Sequence, residues 1–143
     1  MFDYVLSSRG QGYFGLANGS TDPDSETSLS SFVPSIILDD YFDQTLAFLQ
    51  SKNIPVYFIA MPHNSVSGRL YYPGLRNDFV AYLSNYAYRY SDFHILGDPF
   101  PSYPQEYFGD ALHLNEKGAA LWSDHVAKLL KDEHVEGGPF GSP

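Results

Sequence analysis

The sequence contains no cysteine and few basic side chains, and each absence removes a class of function. Without cysteine, disulfides, thiolate metal sites and cysteine nucleophiles are excluded. Only 8 Lys and Arg stand against 17 Asp and Glu, which gives a formal net charge of -9. This balance disfavours binding to nucleic acid or to an anionic membrane surface, because both require clustered cations.

Long apolar segments are also missing. No apolar run approaches the roughly 18 residues of a membrane-spanning helix, so we expect no membrane insertion by this chain. Residues 1–10 lack the basic start and the apolar core of a signal peptide. If the natural protein is exported, we expect its signal to lie outside this sequence.

The residues that are present predict one globular domain with a central α/β core. The chain has 143 residues, of which 43% are hydrophobic and 17% aromatic. Residues 17–31 are small, polar and acidic, and the last eight residues are rich in Gly and Pro. We therefore predict an irregular, loop-rich N-terminal segment over 1–38, an α/β core over 39–130 and a flexible tail over 131–143.

Within the core, helical and extended patterns alternate along the chain. The predicted elements are a helix over about 39–51 capped by Asp39 or Asp40, a strand within 54–62, a helix over about 73–90, a strand over 93–96, and a helix over about 116–130 capped by Asn115. Apolar residues at helical spacing predict the buried face of each helix: Leu38, Phe42, Leu46 and Leu49 in the first, Leu75, Phe79, Leu83, Tyr86, Ala87 and Tyr90 in the second, and Ala119, Trp122, Val126, Leu129 and Leu130 in the third. This order of elements predicts a parallel sheet with helices on its faces. Ligands of such sheets bind at the carboxyl ends of the strands, which are followed here by the loops 61–68 and 97–115.

The second of these loops contains Asp110 and His113. A histidine acts as a general base when a carboxylate holds one ring nitrogen and the other faces the substrate. A separation of three residues on a turn can bring the Asp110 carboxylate beside Nδ1 of His113. The alternative is a structural turn in which Asp110 caps the backbone and His113 is an ordinary polar residue.

The sequence DALHLNEKGAALWSDHVAKLL, residues 110–130, resembles the C-terminal motif block of the SGNH (GDSL-type) hydrolases. The matching positions are Asp110, His113, Leu114, Asn115 and Gly118, followed by an amphipathic helix. The resemblance implies a flavodoxin-like, three-layer α/β/α fold. It also implies ester hydrolysis or acyl transfer through a serine, with His113 as base, Asp110 as its orienter, and no cofactor.

The resemblance is nearest to the branch that acylates cell-envelope polysaccharides. It therefore implies an ester-bearing small molecule or an acylated polysaccharide as substrate. The sequence leaves the compartment undecided, and a periplasmic or cell-envelope location is one that this branch would allow. The family's Gly-Asp-Ser nucleophile motif and its oxyanion donors are missing. Ser8 is the nearest candidate nucleophile, with Leu6 where the family has Gly. The chain is thus expected to correspond to the C-terminal half of an SGNH-like domain, which carries the base and its orienter while the nucleophile lies outside this sequence.

The first loop contains His63 and Asn64, which follow the predicted strand and Pro62. In a parallel sheet they would face the same rim as His113 and could bind a substrate oxygen. The alternative is that His63 only hydrogen-bonds to backbone. A zinc site formed by His63, Asp110 and His113 is a further alternative, but no H-x-x-x-H or H-E-x-x-H spacing supports it, and we predict no metal.

Two hypotheses compete with that of an esterase or O-acyltransferase. One is a non-catalytic binding module, for carbohydrate for example, built on the same fold. The other is an incomplete piece that folds with a missing segment or as a homo-oligomer, since sheet edges left by truncation invite pairing.

Overall fold

The structure, a computed structural model, describes residues 18–21 and 31–135. Three α-helices and four short strands follow one another in this part of the chain. They are α1 (Ile36–Ser51), β1 (Val56–Phe58), β2 (His63–Asn64), α2 (Leu75–Arg89), β3 (Phe93–Ile95), β4 (Ser102–Tyr103) and α3 (Glu116–Val135). Two 3₁₀ helices, Ser67–Leu70 and Gln105–Tyr107, precede α2 and α3 respectively.

The strands form two parallel pairs. β1 pairs with β3, with Val56 opposite Phe93. β2 pairs with β4, with His63 opposite Ser102. The shorter pair, β2 with β4, thus follows the carboxyl ends of β1 and β3. The expected α/β class with parallel strands is confirmed.

The core lies between α1, α2 and the β1–β3 pair. Its buried members are Leu46 of α1, Leu83 and Tyr86 of α2, and Phe93 of β3. Val56 and Phe58 pack against this cluster from one face of β1, as expected for alternate residues of a strand. On the opposite face Tyr57 stacks on His94, with ring centroids 5.3 Å apart. His94 is therefore a structural residue of the sheet.

The predicted start of the first helix is wrong. α1 begins at Ile36, and its N-cap is Ser35, whose hydroxyl accepts the backbone N–H of Leu38 at 3.5 Å. Serine is as good an N-cap as aspartate, and it stands earlier in the chain. Leu38, expected on the buried stripe, is 70% exposed.

Asp39 binds α2 instead of capping α1. Its Oδ1 accepts hydrogen bonds from the hydroxyls of Tyr86 at 2.5 Å and Tyr82 at 2.8 Å. These bonds, that from Tyr86 first, hold the pKa of Asp39 below its usual value. The aspartate therefore joins the two helices.

The other two helices match their predicted faces. In α2 the expected inward residues are buried or half-buried, and in α3 the five expected inward residues are half-buried: Ala119, Trp122, Val126, Leu129 and Leu130. α3 continues to Val135, so residues 131–135 are helical and do not belong to a tail. Of the helices in the described residues, none has the length and apolar character needed to span a bilayer.

Candidate functional site

The loop that carries Asp110 and His113 is fixed at both ends. Phe108 and Leu114 form an antiparallel bridge, and both side chains are buried. Inside this bridge the N–H of Gly109 donates to the carbonyl of His113 at 2.8 Å. The loop is therefore closed on itself immediately before α3 begins.

The Asp110 carboxylate organises this loop. Its Oδ1 accepts the backbone N–H groups of Leu112 at 2.9 Å and His113 at 2.7 Å. The Nδ1 of His113 lies 2.9 Å from Oδ2 and 3.1 Å from Oδ1. Partial burial raises the pKa of Asp110, but the hydrogen bonds outweigh burial and the pKa is lowered overall. Asp110 is therefore a carboxylate at neutral pH, held against its own histidine.

Both side chains of this pair are accessible to solvent. The exposed fraction is 52% for the His113 side chain and 45% for that of Asp110. Because the carboxylate accepts from Nδ1, it favours the tautomer that carries its proton there. Nε2, on the other side of the ring, is then the basic nitrogen. The contact between the two side chains is as expected from their spacing. The backbone contacts of Asp110 are those of the alternative, a turn that this carboxylate caps.

Asn115 and Gly118 have structural roles beside the pair. The Oδ1 of Asn115 accepts the N–H of Gly118 at 3.0 Å, which confirms Asn115 as the cap of α3, and its Nδ2 donates to the carbonyl of Glu106 at 2.8 Å. A Cβ on Gly118 would lie 2.1 Å from the carbonyl oxygen of Tyr107. The Leu-Asn-x-x-Gly pattern thus lets α3 approach the second 3₁₀ helix closely and holds the loop in place.

Asn64, the second predicted substrate ligand, is buried. It is 1% exposed, its Oδ1 accepts the N–H of Val66 at 2.9 Å, and its Nδ2 donates to the carbonyl of Ser20 at 3.2 Å. Both ends of the amide are therefore used to hold the loop after β2. A direct contact between Asn64 and substrate stays a prediction, and the contacts seen are those of a positioning residue.

His63 lines an open cleft with a volume of about 530 Å³. Its ring lies 4.8 Å from that of Phe100 and 5.2 Å from that of Tyr71, measured between centroids. Burial lowers the pKa of His63, and the Pro101 carbonyl and the Asp98 charge oppose this only in part. His63 is consequently a neutral imidazole at neutral pH.

The cleft and the Asp110–His113 loop are joined by the first 3₁₀ helix. Ser67, which is fully buried, donates its hydroxyl to the carbonyl of Ala111 at 3.4 Å. The next residue, Gly68, lines the cleft so closely that an added Cβ would lie 2.8 Å from Nε2 of His63. The two predicted loops therefore meet, as expected for loops at the carboxyl ends of parallel strands.

The zinc alternative gains no support from the described part of the chain, where no three His, Asp or Glu side chains are grouped as metal ligands. His63 is thus not assembled with Asp110 and His113 into such a cluster. The candidate nucleophile, Ser8, lies outside the described residues.

Of the residues that line the cleft, the sequence singled out His63 as a ligand and missed the others, which include Tyr71, Arg76, Asp98 and Phe100. Asp98 carried a usable signal, because it lies three residues after the end of β3, in the loop where parallel sheets place ligands. Tyr71 precedes α2, and Arg76 lies in the first turn of α2. Neither residue stands in a loop that follows a strand, so the sequence did not indicate a role in ligand binding for them. Their place in the cleft depends on how α2 meets the loop after β3.

Comparison with known proteins gives one match. The model of an uncharacterised protein family matches residues 20–135, which is most of the chain. The chain belongs to this family. No curated protein and no solved structure matches it. The resemblance to SGNH hydrolases therefore stays a hypothesis.

Proposed function

We propose that the protein is an acyl-ester hydrolase or O-acyltransferase that uses His113 as general base. The observation that carries the proposal is the contact between Asp110 and Nδ1 of His113, at 2.9 Å, on an accessible loop. A carboxylate that fixes the tautomer of a histidine is the arrangement that serine-dependent acyl transfer requires. The position of the pair at the carboxyl ends of parallel strands supports the same reading.

In the proposed reaction, Nε2 of His113 accepts the proton of a serine hydroxyl while the serine oxygen attacks the ester carbonyl. The carbon–oxygen bond of the leaving alcohol then breaks, and His113 returns the proton to that alcohol. Water completes hydrolysis, or an acceptor hydroxyl completes acyl transfer. Asp110 stays ionised and stabilises the imidazolium that forms between the two proton transfers. We propose Ser8 as the nucleophile to be tested first, in place of the expectation from the resemblance that the nucleophile lies outside this sequence.

The test is hydrolysis of p-nitrophenyl butyrate by the purified chain and three variants. We expect the parent to turn over the ester, and His113→Ala to be slower by about 10³-fold or more, because the general base is lost. Ser8→Ala should fall equally far if Ser8 is the nucleophile. A fluorophosphonate probe followed by peptide mass spectrometry identifies the reactive serine independently.

The matched control is His125→Ala, which removes another exposed histidine, on α3, whose ring lies 5.5 Å from that of Trp122. This variant should retain the parent rate. A parent that is no faster than His113→Ala would contradict the proposal, whichever serine the probe labels. Labelling of a serine other than Ser8 would retain the proposed chemistry and replace the nucleophile.

We also propose a flavodoxin-like architecture and a class of substrate. Parallel pairing of β1 with β3, and the helices α1 and α2 on one face of that pair, support a flavodoxin-like three-layer arrangement. An ester-bearing small molecule or an acylated polysaccharide suits the acidic chain better than a polyanion, since the formal net charge is -9. An experimental structure of the whole protein tests the third layer.

A further inference from the structure

The cleft beside His63 combines an aromatic wall with a charged rim. The wall consists of His63, Tyr71 and Phe100, whose ring centroids lie 4.8–5.9 Å from one another. These rings are partly exposed, so they offer apolar surface to a ligand without being sealed in the core. Most small-molecule sites pair such a wall with a few well-placed polar groups.

The rim supplies the polar groups. Arg76 Nη2 lies 3.0 Å from Asp98 Oδ1, with 51% and 47% of the two side chains exposed. The same Asp98 oxygen accepts the backbone N–H of Phe100 at 2.9 Å, which fixes the carboxylate relative to the aromatic wall. An arginine has five N–H donors and a carboxylate has several acceptor sites, so this contact leaves both groups able to bind hydroxyls.

The charges of the cleft select against an ionic ligand. The positive charge of Arg76 is balanced by the negative charge of Asp98, with which it forms an ion pair. The neighbouring His63 is uncharged, because burial lowers its pKa. The chain as a whole carries a formal net charge of -9, which repels polyanions. A purely apolar ligand would cover the charged rim without offering it hydrogen bonds, which is costly.

We propose that this cleft binds a neutral sugar ring. A pyranose has an apolar face of C–H groups that can lie on the aromatic wall, and equatorial hydroxyls at its edge that can bond in pairs to the planar groups of Arg76 and Asp98. The cleft volume of about 530 Å³ is large enough for one to two such rings.

The location of the cleft gives this binding a use in the proposed reaction. The first 3₁₀ helix contributes Gly68 to the cleft, and its Ser67 contacts Ala111 in the Asp110–His113 loop. The cleft therefore adjoins the loop that carries Asp110 and His113. The inference names the substrate class as an acylated neutral carbohydrate and, for its chemistry, rests on the proposed function. Binding itself can be measured without turnover.

The experiment maps binding by ¹H–¹⁵N NMR on the full chain with three neutral probes: cellotriose, maltotriose and chitotriose. Trigalacturonate, an anionic trisaccharide, is the charge contrast. We expect at least one neutral probe to shift the amides of Gly68, Arg76 and Phe100, and trigalacturonate to bind more weakly. The proposal is overturned if no neutral probe shifts these amides, or if trigalacturonate binds more tightly than all three.

Variants distinguish the contribution of the aromatic wall to binding from that of the charged rim. Phe100→Ala should raise the Kd of the binding probe by about tenfold, equivalent to about 1.4 kcal/mol. Arg76→Gln should weaken binding without disturbing the rings, which keeps the test decisive if Phe100→Ala fails to fold. Tyr88→Ala is the matched aromatic control, because Tyr88 is 89% exposed and does not line the cleft. Equal weakening by Tyr88→Ala would contradict a specific cleft site.

The hydrolase proposal and the sugar-site proposal can each be contradicted without contradicting the other. Binding in the cleft by both the parent and His113→Ala, with no ester turnover by either, would overturn the hydrolase and leave the sugar site. Turnover that depends on His113, with no shift of the cleft amides by any neutral probe, would overturn the sugar site and leave the hydrolase.

Discussion

At the scale of single residues, the carboxylate of Asp110 performs two tasks. It accepts the backbone N–H groups of Leu112 and His113, and it contacts Nδ1 of the His113 ring. The first task shapes the loop, and the second orients the ring of His113, the proposed base. Mutation can separate them, because asparagine keeps an oxygen for the backbone but removes the negative charge.

We expect Asp110→Ala to destabilise the protein more than Asp110→Asn. Alanine leaves two N–H groups without their acceptor, and loss of comparable side-chain caps lowers the free energy of unfolding by about 0.5–2 kcal/mol. Urea unfolding at pH 7 measures the difference. Both variants should also lose the downfield ¹H resonance expected for Nδ1–H of His113 against a carboxylate. Equal stability of the two variants would refute the backbone role, and a persistent resonance in Asp110→Asn would refute the orienting role.

Contacts between near neighbours in the chain could be predicted from the sequence, and distant ones could not. Asp110 and His113 are three residues apart, so a single turn brings them together. Asn64 bonds to Ser20, 44 residues away, and Asp39 bonds to Tyr86, 47 residues away. No local pattern predicts such partners. The sequence therefore identified these polar residues without showing which of them face solvent.

At the scale of elements, the faces of α2 and α3 and the positions of β1 and β3 were predicted well. The start of α1 and the strands β2 and β4 were not predicted. The apolar stripes of α2 and α3 recur every three to four residues over four turns or more, which is a strong signal. β2 and β4 have two residues each, too few to show the alternation of a strand. Since their pairing brings Phe100 beside His63, the cleft could not be predicted from the sequence.

The close approach of α3 to the second 3₁₀ helix makes a prediction about Gly118. Replacing glycine by alanine inside a helix normally stabilises it by about 0.5–1 kcal/mol. At Gly118 the added methyl would meet the carbonyl oxygen of Tyr107 at 2.1 Å, and backbone cannot move aside as a side chain can. We expect Gly118→Ala to lower the free energy of unfolding by about 1–3 kcal/mol.

Urea unfolding followed by circular dichroism measures this change. Ser84→Ala, at an exposed position inside α2, is the matched control and should change stability by no more than about 0.5 kcal/mol. Because the Asp110–His113 loop directly precedes α3, Gly118→Ala should also reduce any esterase activity. A Gly118→Ala variant as stable as the parent would show that the helix does not approach Tyr107 this closely.

At the scale of the whole molecule, we expect acid to lower the free energy of unfolding in two separate ranges of pH, because one histidine and two aspartates have lowered pKa values. The pKa of His63 lies below its ordinary value of 6.5, because burial disfavours the charged ring. The pKa values of Asp39 and Asp110 lie below 3.8, because hydrogen bonds favour their charged forms. In all three cases the unfolded chain binds protons more readily than the folded one, so each group makes stability decrease as pH falls.

The histidine range comes first as pH falls, because the ordinary pKa of histidine is higher than that of aspartate. The contribution of His63 is fully present above pH 6.5 and is lost as pH falls from there toward its folded-state pKa. The contributions of Asp39 and Asp110 are present above pH 3.8 and are lost as pH falls through their folded-state values. We therefore expect the unfolding midpoint in urea to fall first between pH 7 and pH 5, and again below pH 4.

A single substitution tests which group causes the first fall. His63→Gln replaces the titrating ring by a neutral side chain, so the midpoint should change less between pH 7 and pH 5 than in the parent. His125→Gln removes an exposed histidine of α3 and should leave the parent profile unchanged. The fall below pH 4 should persist in both variants, since it belongs to the carboxylates. If His63→Gln and the parent lose stability equally between pH 7 and pH 5, His63 is not buried against Phe100 and Tyr71 as described. In that case the aromatic wall proposed for sugar binding would lose its central ring.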